Sequence, residues 1–291
     1  MNTVKKRDWK TYNQKLIKRG EFYLNPVFLD NWRDEIKRMN LRKVGQPFLY
    51  PESMIEFLGV LWVKGFDFRT LEGIVSSLSK RMFSFPVISY SQISRRIKKL
   101  KIKFQNSGKN LIVAGDGSGL KTSNRGEWMR QKWKVRRGWI KVVVFGSVNG
   151  SVVDVRTGAD NLDERKAVRG MIRKNYKKIN KVIMDGLHDC RDTFNLCEKL
   201  KVKPVIKIRK NAVARLHGCI LRKREVVDYK RMGHGEWCKN RGYGLRWPAS
   251  EGIFSAVKRI FGENIRSMKR RNAYHEAKMK FWAYNRILDV C

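Results

Sequence analysis

The chain has 291 residues, enough for one sizeable core plus a smaller accessory domain, and its 42% hydrophobic content excludes a disordered tail protein. Charge is far from balance: 65 Lys and Arg against 26 Asp and Glu give a formal net of +39, an excess that repels itself in a compact fold and suits a polyanionic partner, nucleic acid being the commonest. No run approaches the roughly 20 apolar residues of a spanning helix, so no membrane partner is expected.

The opening, MNTVKKRDWK, has no apolar stretch of a secretory signal. Five cysteines, an odd number without a CxxC pair, read as reduced thiols of a cytoplasmic protein. Cys219, His234 and Cys238 match no zinc-finger spacing.

Residues 1–105 read as helical. Met54, Phe57, Leu58, Leu61 and Trp62 fall on one helical face, and Leu71, Ile74, Val75 and Leu78 repeat the pattern. After Pro86, Ser91 is placed to cap a third helix, SQISRRIKKL, with Ile93, Ile97 and Leu100 inward. Its outward basic residues, Arg95, Arg96, Lys98 and Lys99, are candidates for DNA contact. A helix-turn-helix-like unit and a plain bundle with a charged outer face fit this segment equally well.

FQNSGKN (104–110) looks like a linker, and a second domain is expected over 106–291. LIVAG (111–115) is a short apolar run ending at Asp116, as in a strand buried on both faces. WIKVVVFGSV and SVVDVRT flank Asn149-Gly150, a hairpin signal. A helix over 163–175 follows, then a strand at 181–184 ending at Asp185, a helix (CRDTFNLCEKL) and a strand at 203–208. This alternation predicts an α/β fold with a mixed sheet, part of it parallel, preceded by an all-α domain. A basic, glycine-containing and apparently irregular insertion at about 209–245 suits a DNA-contacting loop or a solvated surface one. Glu251–Phe261 reads as a helix with Glu251, Ser255 and Lys258 on one face and Ile253, Val257, Ile260 and Phe261 on the other. NAYHEAKMKFWAYNRIL forms a last helix.

In such a sheet, ligand-binding groups gather at the carboxyl ends of parallel strands. If the strands ending at Asp116 and Asp185 are neighbours, their carboxylates emerge side by side and repel unless a cation joins them. Oxygen ligands suit Mg2+ or Mn2+, and Glu251 supplies a third carboxylate. Two ions so held suit in-line attack at phosphorus. Asp160, Asp163, Asp189, Asp192 and Glu236 fit ordinary turn, cap or surface roles.

These residues carry a resemblance to DDE transposases of bacterial and archaeal insertion sequences, in the insertion-sequence-5 group. It runs from about Tyr12 to Leu288, through YNQKLIKRGEFYL, FRTLEGIVSSL, YSQISRRIKKL, GDGSGLK, RGEWMRQKW, IMDGLHD, IRKNA and YGLRWPASEGIFSAVKRIFGE in that order. The resemblance implies a ribonuclease-H-like core, with Asp116, Asp185 and Glu251 as catalytic metal ligands for Mg2+, Mn2+ being possible. It implies double-stranded DNA as partner, both terminal inverted repeats and target, and a homodimer or larger assembly on DNA. It also implies a prokaryotic, nucleoid-associated setting. Tyr243, Arg246, Glu251 and Lys258 match a Tyr-Arg-Glu-Lys signature of related transposases, except that four residues separate Arg246 from Glu251 where the signature usually has three. Arg246 and Lys258 would then contact the phosphate backbone, and Tyr243 counts among the DNA-binding residues. A catalytically inactive DNA-binding protein and a nuclease of the same fold are the alternative readings.

Overall fold

A computed structural model describes residues 8–24, 26–81, 84–104, 108–122, 139–215 and 218–289. The motif RGEWMRQKW and residues 105–107 of the expected linker lie outside the described residues. The chain divides into two compact units, Met1–Ile102 with Trp282–Cys291, and Lys103–Phe281.

The first unit contains α1 (Trp9–Leu24), α2 (Trp32–Asn40), α3 (Glu52–Lys64), α4 (Phe68–Arg81) and α5 (Tyr90–Ile97). On α3, Met54, Leu58, Leu61 and Trp62 are buried as the spacing predicts, but so are Ile55, Val60 and Val63, so the helix is covered on more than one side. Asp67 caps α4 by accepting the backbone N–H groups of Arg69 and Thr70, each at 2.9 Å. Ile93, Ile97 and Leu100 are buried, as expected. The expected cap does not form: α5 starts at Tyr90, Ser89 holds the cap position, and the Tyr90 N–H donates to Glu72 Oε2 at 2.8 Å. A carboxylate from α4 thus satisfies the helix end that Ser91 was expected to serve.

The second unit is built on β1 (Leu111–Thr122), β2 (Trp139–Ser147), β3 (Val152–Gly158), β4 (Ile179–Met184), β5 (Lys203–Ile206) and the two-residue β6 (Asn264–Ile265). The sheet order is β3-β2-β1-β4-β5, with β6 beside the far end of β1. β2 runs antiparallel to β1 and β3, whereas β1, β4 and β5 run parallel. This is the ribonuclease-H-like arrangement, with the first and fourth strands adjacent. The helices are α6 (Glu164–Asn175), α7 (Arg191–Lys199), α8 (Ile220–Arg241), α9 (Arg246–Ala249), α10 (Glu251–Phe261) and α11 (Arg270–Leu288).

Strand alternation gives the sheet two apolar faces. On one, Val113, Val143, Phe145, Val182 and Met184 share a core with Val168, Met171 and Ile172 of α6 and Phe194 and Cys197 of α7. On the other, Ala114, Ile183 and Val205 meet Trp237 of α8 and Ala249 of α9.

Two expectations need correction. β1 does not end at Asp116 but continues to Thr122, paired with β2 from Val113 as far as Lys121. The glycines of GDGSGLK lie inside the strand because its neighbours come too close for side chains. A Cβ at Gly117 would strike the Glu164 carboxylate, and one at Gly119 would lie 2.7 Å from the Trp139 ring. The stretch expected to be irregular is largely α8, broken at Gly233, whose φ of 77° no helix accommodates.

Gly146 of β2 lies against the Ala249 carbonyl and the Ile253 side chain. Gly146→Val should therefore push α9 and α10 off the sheet and cost about 1–3 kcal/mol of stability. Urea unfolding of the full chain measures this; a midpoint equal to the wild type would show that the close approach is not needed.

Candidate active site

The parallel ladder between β1 and β4 pairs Val113 with Val182 and Ala114 with Ile183, and stops there. Asp116 and Asp185 each stand two residues beyond the last pair, so both carboxylates sit where the two strands part. Asp116 shares the face of Ala114, and its Oδ1 accepts the Gly117 N–H at 2.9 Å. Asp185 caps the short turn Gly186–His188, with Oδ1 accepting the Leu187 N–H at 3.0 Å. Burial, above all, lifts Asp116 out of the ordinary carboxylate range; the charges of Glu164 and Asp185 push the same way, and the Arg246 guanidinium opposes them.

α9 and α10 lie over the Asp116 face. Arg246 forks between two acids: Nη1 donates to Asp116 Oδ2 at 3.0 Å, and Nη2 donates to Glu251 Oε1. Glu251 opens α10 and is 47% exposed, so its carboxylate faces solvent on one side and Arg246 on the other. The extra residue between Arg246 and Glu251 is taken up by the single turn of α9 and a break at Ser250 (φ −132°, ψ −75°). Ser250 Oγ donates back to the Arg246 carbonyl at 2.9 Å and closes that turn. Tyr243 packs its ring 5.5 Å from that of Trp237, and its phenol is pushed up to about 12, by burial first and by Asp185 among the nearby acids.

The structure therefore gathers Asp116, Asp185, Tyr243, Arg246 and Glu251. Lys258 is turned elsewhere, pairing with Glu263 Oε1 at 3.6 Å. In the helical unit Arg95, Lys98 and Lys99 are exposed. Arg96 is half-buried, donates to the Tyr50 carbonyl at 2.9 Å and lies 5.6 Å from the Phe48 ring centre, so it serves that unit's own packing.

Two residues at the site escape sequence reasoning. Glu164, first in α6, reaches in over Gly117 from the opposite face, its side chain 10% exposed. His188, fully buried, points Nε2 at Glu164 Oε1 (3.7 Å) and Asp185 Oδ1 (3.9 Å). The His188 imidazole, foremost, and Lys141, 3.2 Å from Glu164 Oε2, hold Glu164 below its ordinary range despite burial. No local signal sets either apart; what marks Glu164 is that Gly117 on β1 leaves room for its carboxylate. Glu164, Asp185 and His188 are also a group close enough to share a metal ion among the described residues. The earlier trio does not assemble: Cys219 belongs to the α6 core, while His234 and Cys238 lie against each other on α8.

The loop after β4 is held by Asp189, which proves buried rather than superficial. Its Oδ1 and Oδ2 accept Arg222 Nε (2.6 Å) and Nη2 (3.1 Å), and Oδ2 accepts the Arg209 N–H at 3.1 Å. Among the described residues no helix is long and apolar enough to cross a membrane.

Crowded carboxylates stand at the parting of two parallel strands, faced by an arginine from a following helix, an acidic cluster of the kind that attracts divalent cations. Family models place this chain. Two models described as "Transposase DDE domain" match residues 17–125 and 107–286. The second spans more than half the chain, and the chain belongs to the DDE transposase family. It is a DNA transposase, an enzyme that cleaves and transfers DNA strands. Members of the family work with divalent metal; Asp116, Asp185 and Glu251 offer hard oxygen donors, whereas the donors that lie within 4.8 Å of one another among the described residues are those of Glu164, Asp185 and His188. Looser likenesses exist to two solved structures. The piggyBac transposase synaptic complex with hairpin DNA is 10% identical, over 94% of this chain and 75% of that one, with a TM-score of 0.42. The simian T-cell lymphotropic virus intasome in complex with PP2A regulatory subunit B56 gamma is 10% identical, over 72% of each chain, with a TM-score of 0.26.

Asp189→Ala would strand Arg222 without its buried partner and should cost about 3–5 kcal/mol. Thermal unfolding checks this; a melting point unchanged from wild type would show that the pair does not hold the loop after β4.

Proposed function

We propose that the chain is the transposase of an insertion sequence of the insertion-sequence-5 group, cutting at that element's terminal inverted repeats and joining the ends to target DNA. Asp116, Asp185 and Glu251 hold Mg2+, or Mn2+ in its place. The observation that carries this reading is the shared Arg246: it ties Glu251, distant in sequence, to an aspartate at the end of the β1–β4 ladder.

When bound, a pair of divalent ions supplies an activated attacking oxygen and stabilises the leaving one. The chain's own residues orient and neutralise. Asp116 and Asp185 are fixed by strand geometry and by backbone N–H donors. Arg246, a planar fork that already meets carboxylate oxygens, suits a phosphate of the cut strand equally well. Tyr243, set in aromatic packing, lines the approach, and Lys258, two turns along α10, would leave its pair with Glu263 to meet the same strand's backbone. Arg95, Lys98 and Lys99 of the helical unit, and Arg224, Lys230, Arg231 and Lys239 exposed on α8, supply phosphate contacts that hold duplex DNA. The helical unit, Met1–Ile102 with Trp282–Cys291, is the DNA-binding domain, and the sheet unit, Lys103–Phe281, the catalytic one. Two or more protomers act together on paired ends in a prokaryotic cell.

Asp116→Ala and Asp185→Ala should each lower Mg2+-dependent cleavage of an inverted-repeat end by at least about 100-fold, as expected for loss of a charge-organising group. Duplex affinity at fixed salt should stay within about threefold, since the phosphate contacts lie elsewhere. Gel-based cleavage and joining assays with Mg2+ or EDTA, beside a binding titration, measure both. Undiminished strand transfer by either variant would overturn the assignment.

A further inference from the structure

We propose that Glu164, Asp185 and His188 form a second divalent-cation site, on the α6 side of the sheet, that prefers a nitrogen-accepting ion such as Mn2+ or Zn2+ to Mg2+. It shares Asp185 with the site proposed above and rests on that reading only for what the ion does in the reaction, not for its binding.

The donors come from three positions that the fold brings together. Glu164 opens α6, Asp185 follows β4, and His188 ends the turn that Asp185 caps. Their nearest ligand atoms all lie within 4.8 Å of one another. Bonds of about 2.0–2.2 Å place tetrahedral donors about 3.4 Å apart. The 3.7 Å and 3.9 Å separations from His188 Nε2 to Glu164 Oε1 and Asp185 Oδ1 are therefore a few tenths from closing on a shared ion.

A cluster of acids alone would not carry the inference; the imidazole does. His188 is fully buried, and neither ring nitrogen meets a partner within hydrogen-bonding distance, Glu164 Oε1 standing at 3.7 Å. A buried polar atom left unpaired costs about 1–3 kcal/mol, and here Nε2 is aimed into a gap between two carboxylate oxygens. An ion in that gap satisfies all three groups at once. Lys141 does not fill the role, because it meets the other oxygen of Glu164, Oε2, at 3.2 Å. Gly117 keeps the space open, since a side chain there would displace the Glu164 carboxylate. Access runs past Asp185, whose side chain is 42% exposed.

The donor chemistry sets the preference. Mg2+ favours oxygen ligands and retains water, whereas one imidazole with two carboxylates suits Mn2+ and Zn2+. Asp185, reaching the Asp116 side through its position at the strand end and the α6 side through Oδ1, is the element common to both sites.

The test is titration of the untagged full chain with Mn2+, followed by electron paramagnetic resonance, with the electron spin echo examined for 14N modulation from a bound imidazole. The wild type should show that modulation, and so should the Asp116→Asn/Glu251→Gln double variant. In His188→Leu the modulation should vanish, and in Glu164→Gln affinity for that ion should fall more than about 100-fold, beyond the roughly 10–100-fold loss of a mere outer partner of a ligand. Circular dichroism establishes that each variant is folded, and Glu164→Gln carries the test if His188→Leu is not. An equal Mg2+ concentration should fail to displace the modulated Mn2+. Wild-type modulation and affinity in both His188→Leu and Glu164→Gln, or their loss in the double variant alone, would overturn the proposal. Failure of the Asp116 and Glu251 assignment would instead appear as intact strand transfer in the double variant, with the 14N signal unaffected.

Discussion

Everything at the site depends on charge compensation where β1 and β4 part. Two parallel strands, paired as far as Ala114 and Ile183, deliver Asp116 and Asp185 to the same place. Left alone, such carboxylates repel and one protonates. Glu164 from one face and Glu251 from the other add to the crowding. The protein answers with cations from both faces: Lys141 at Glu164, and Arg246 between Asp116 and Glu251. Asp116 nevertheless remains above its ordinary range, chiefly because it is buried.

The fold supplies this crowding by keeping neighbours small. Glycine at 117 admits the carboxylate of α6, and glycine at 146 admits the backbone of α9 and the Ile253 side chain. Each helix can then bring a charged group to the sheet from its own side. Behind them, Asp189 with Arg222 fixes the loop after β4, and on α11 the buried Glu276 accepts the N–H groups of Arg266 and Ser267 at 2.9 and 2.8 Å. These buried polar pairings hold irregular backbone after β4 and after β6, where hydrophobic packing alone specifies little.

Much of this was legible in the residues. The apolar runs before Asp116 and Asp185 and the face shared by Glu251 and Lys258 are periodic signals, and they located strands and helix. The Asn149-Gly150 hairpin formed because its turn chemistry is local. What misled was tertiary. Beyond Asp116 the apolar run gives way to glycines at 117 and 119, on which Glu164 and the Trp139 ring press. The stretch that forms α8 carries few apolar anchors and a helix-breaking Gly233, so its helical state depends on Val226 and Trp237 being buried against the sheet. Glu164 and His188 went unnoticed because nothing local separates a helix-opening glutamate or a turn histidine from ordinary ones; only the third dimension puts them beside Asp185. Lys258 matched a signature by spacing, yet Glu263 lies nearer to its ammonium than any of the clustered acids does in the ion pairs formed.

The most direct measurement is an anomalous-scattering map from crystals of the full chain grown with Mn2+ and an inverted-repeat DNA end. The account predicts density within bonding distance of Asp116, Asp185 and Glu251 together, with the Arg246 guanidinium turned from Asp116 toward a DNA phosphate. Density at none of these three carboxylates, with Arg246 still bridging Asp116 and Glu251 and the DNA bound elsewhere, would contradict it.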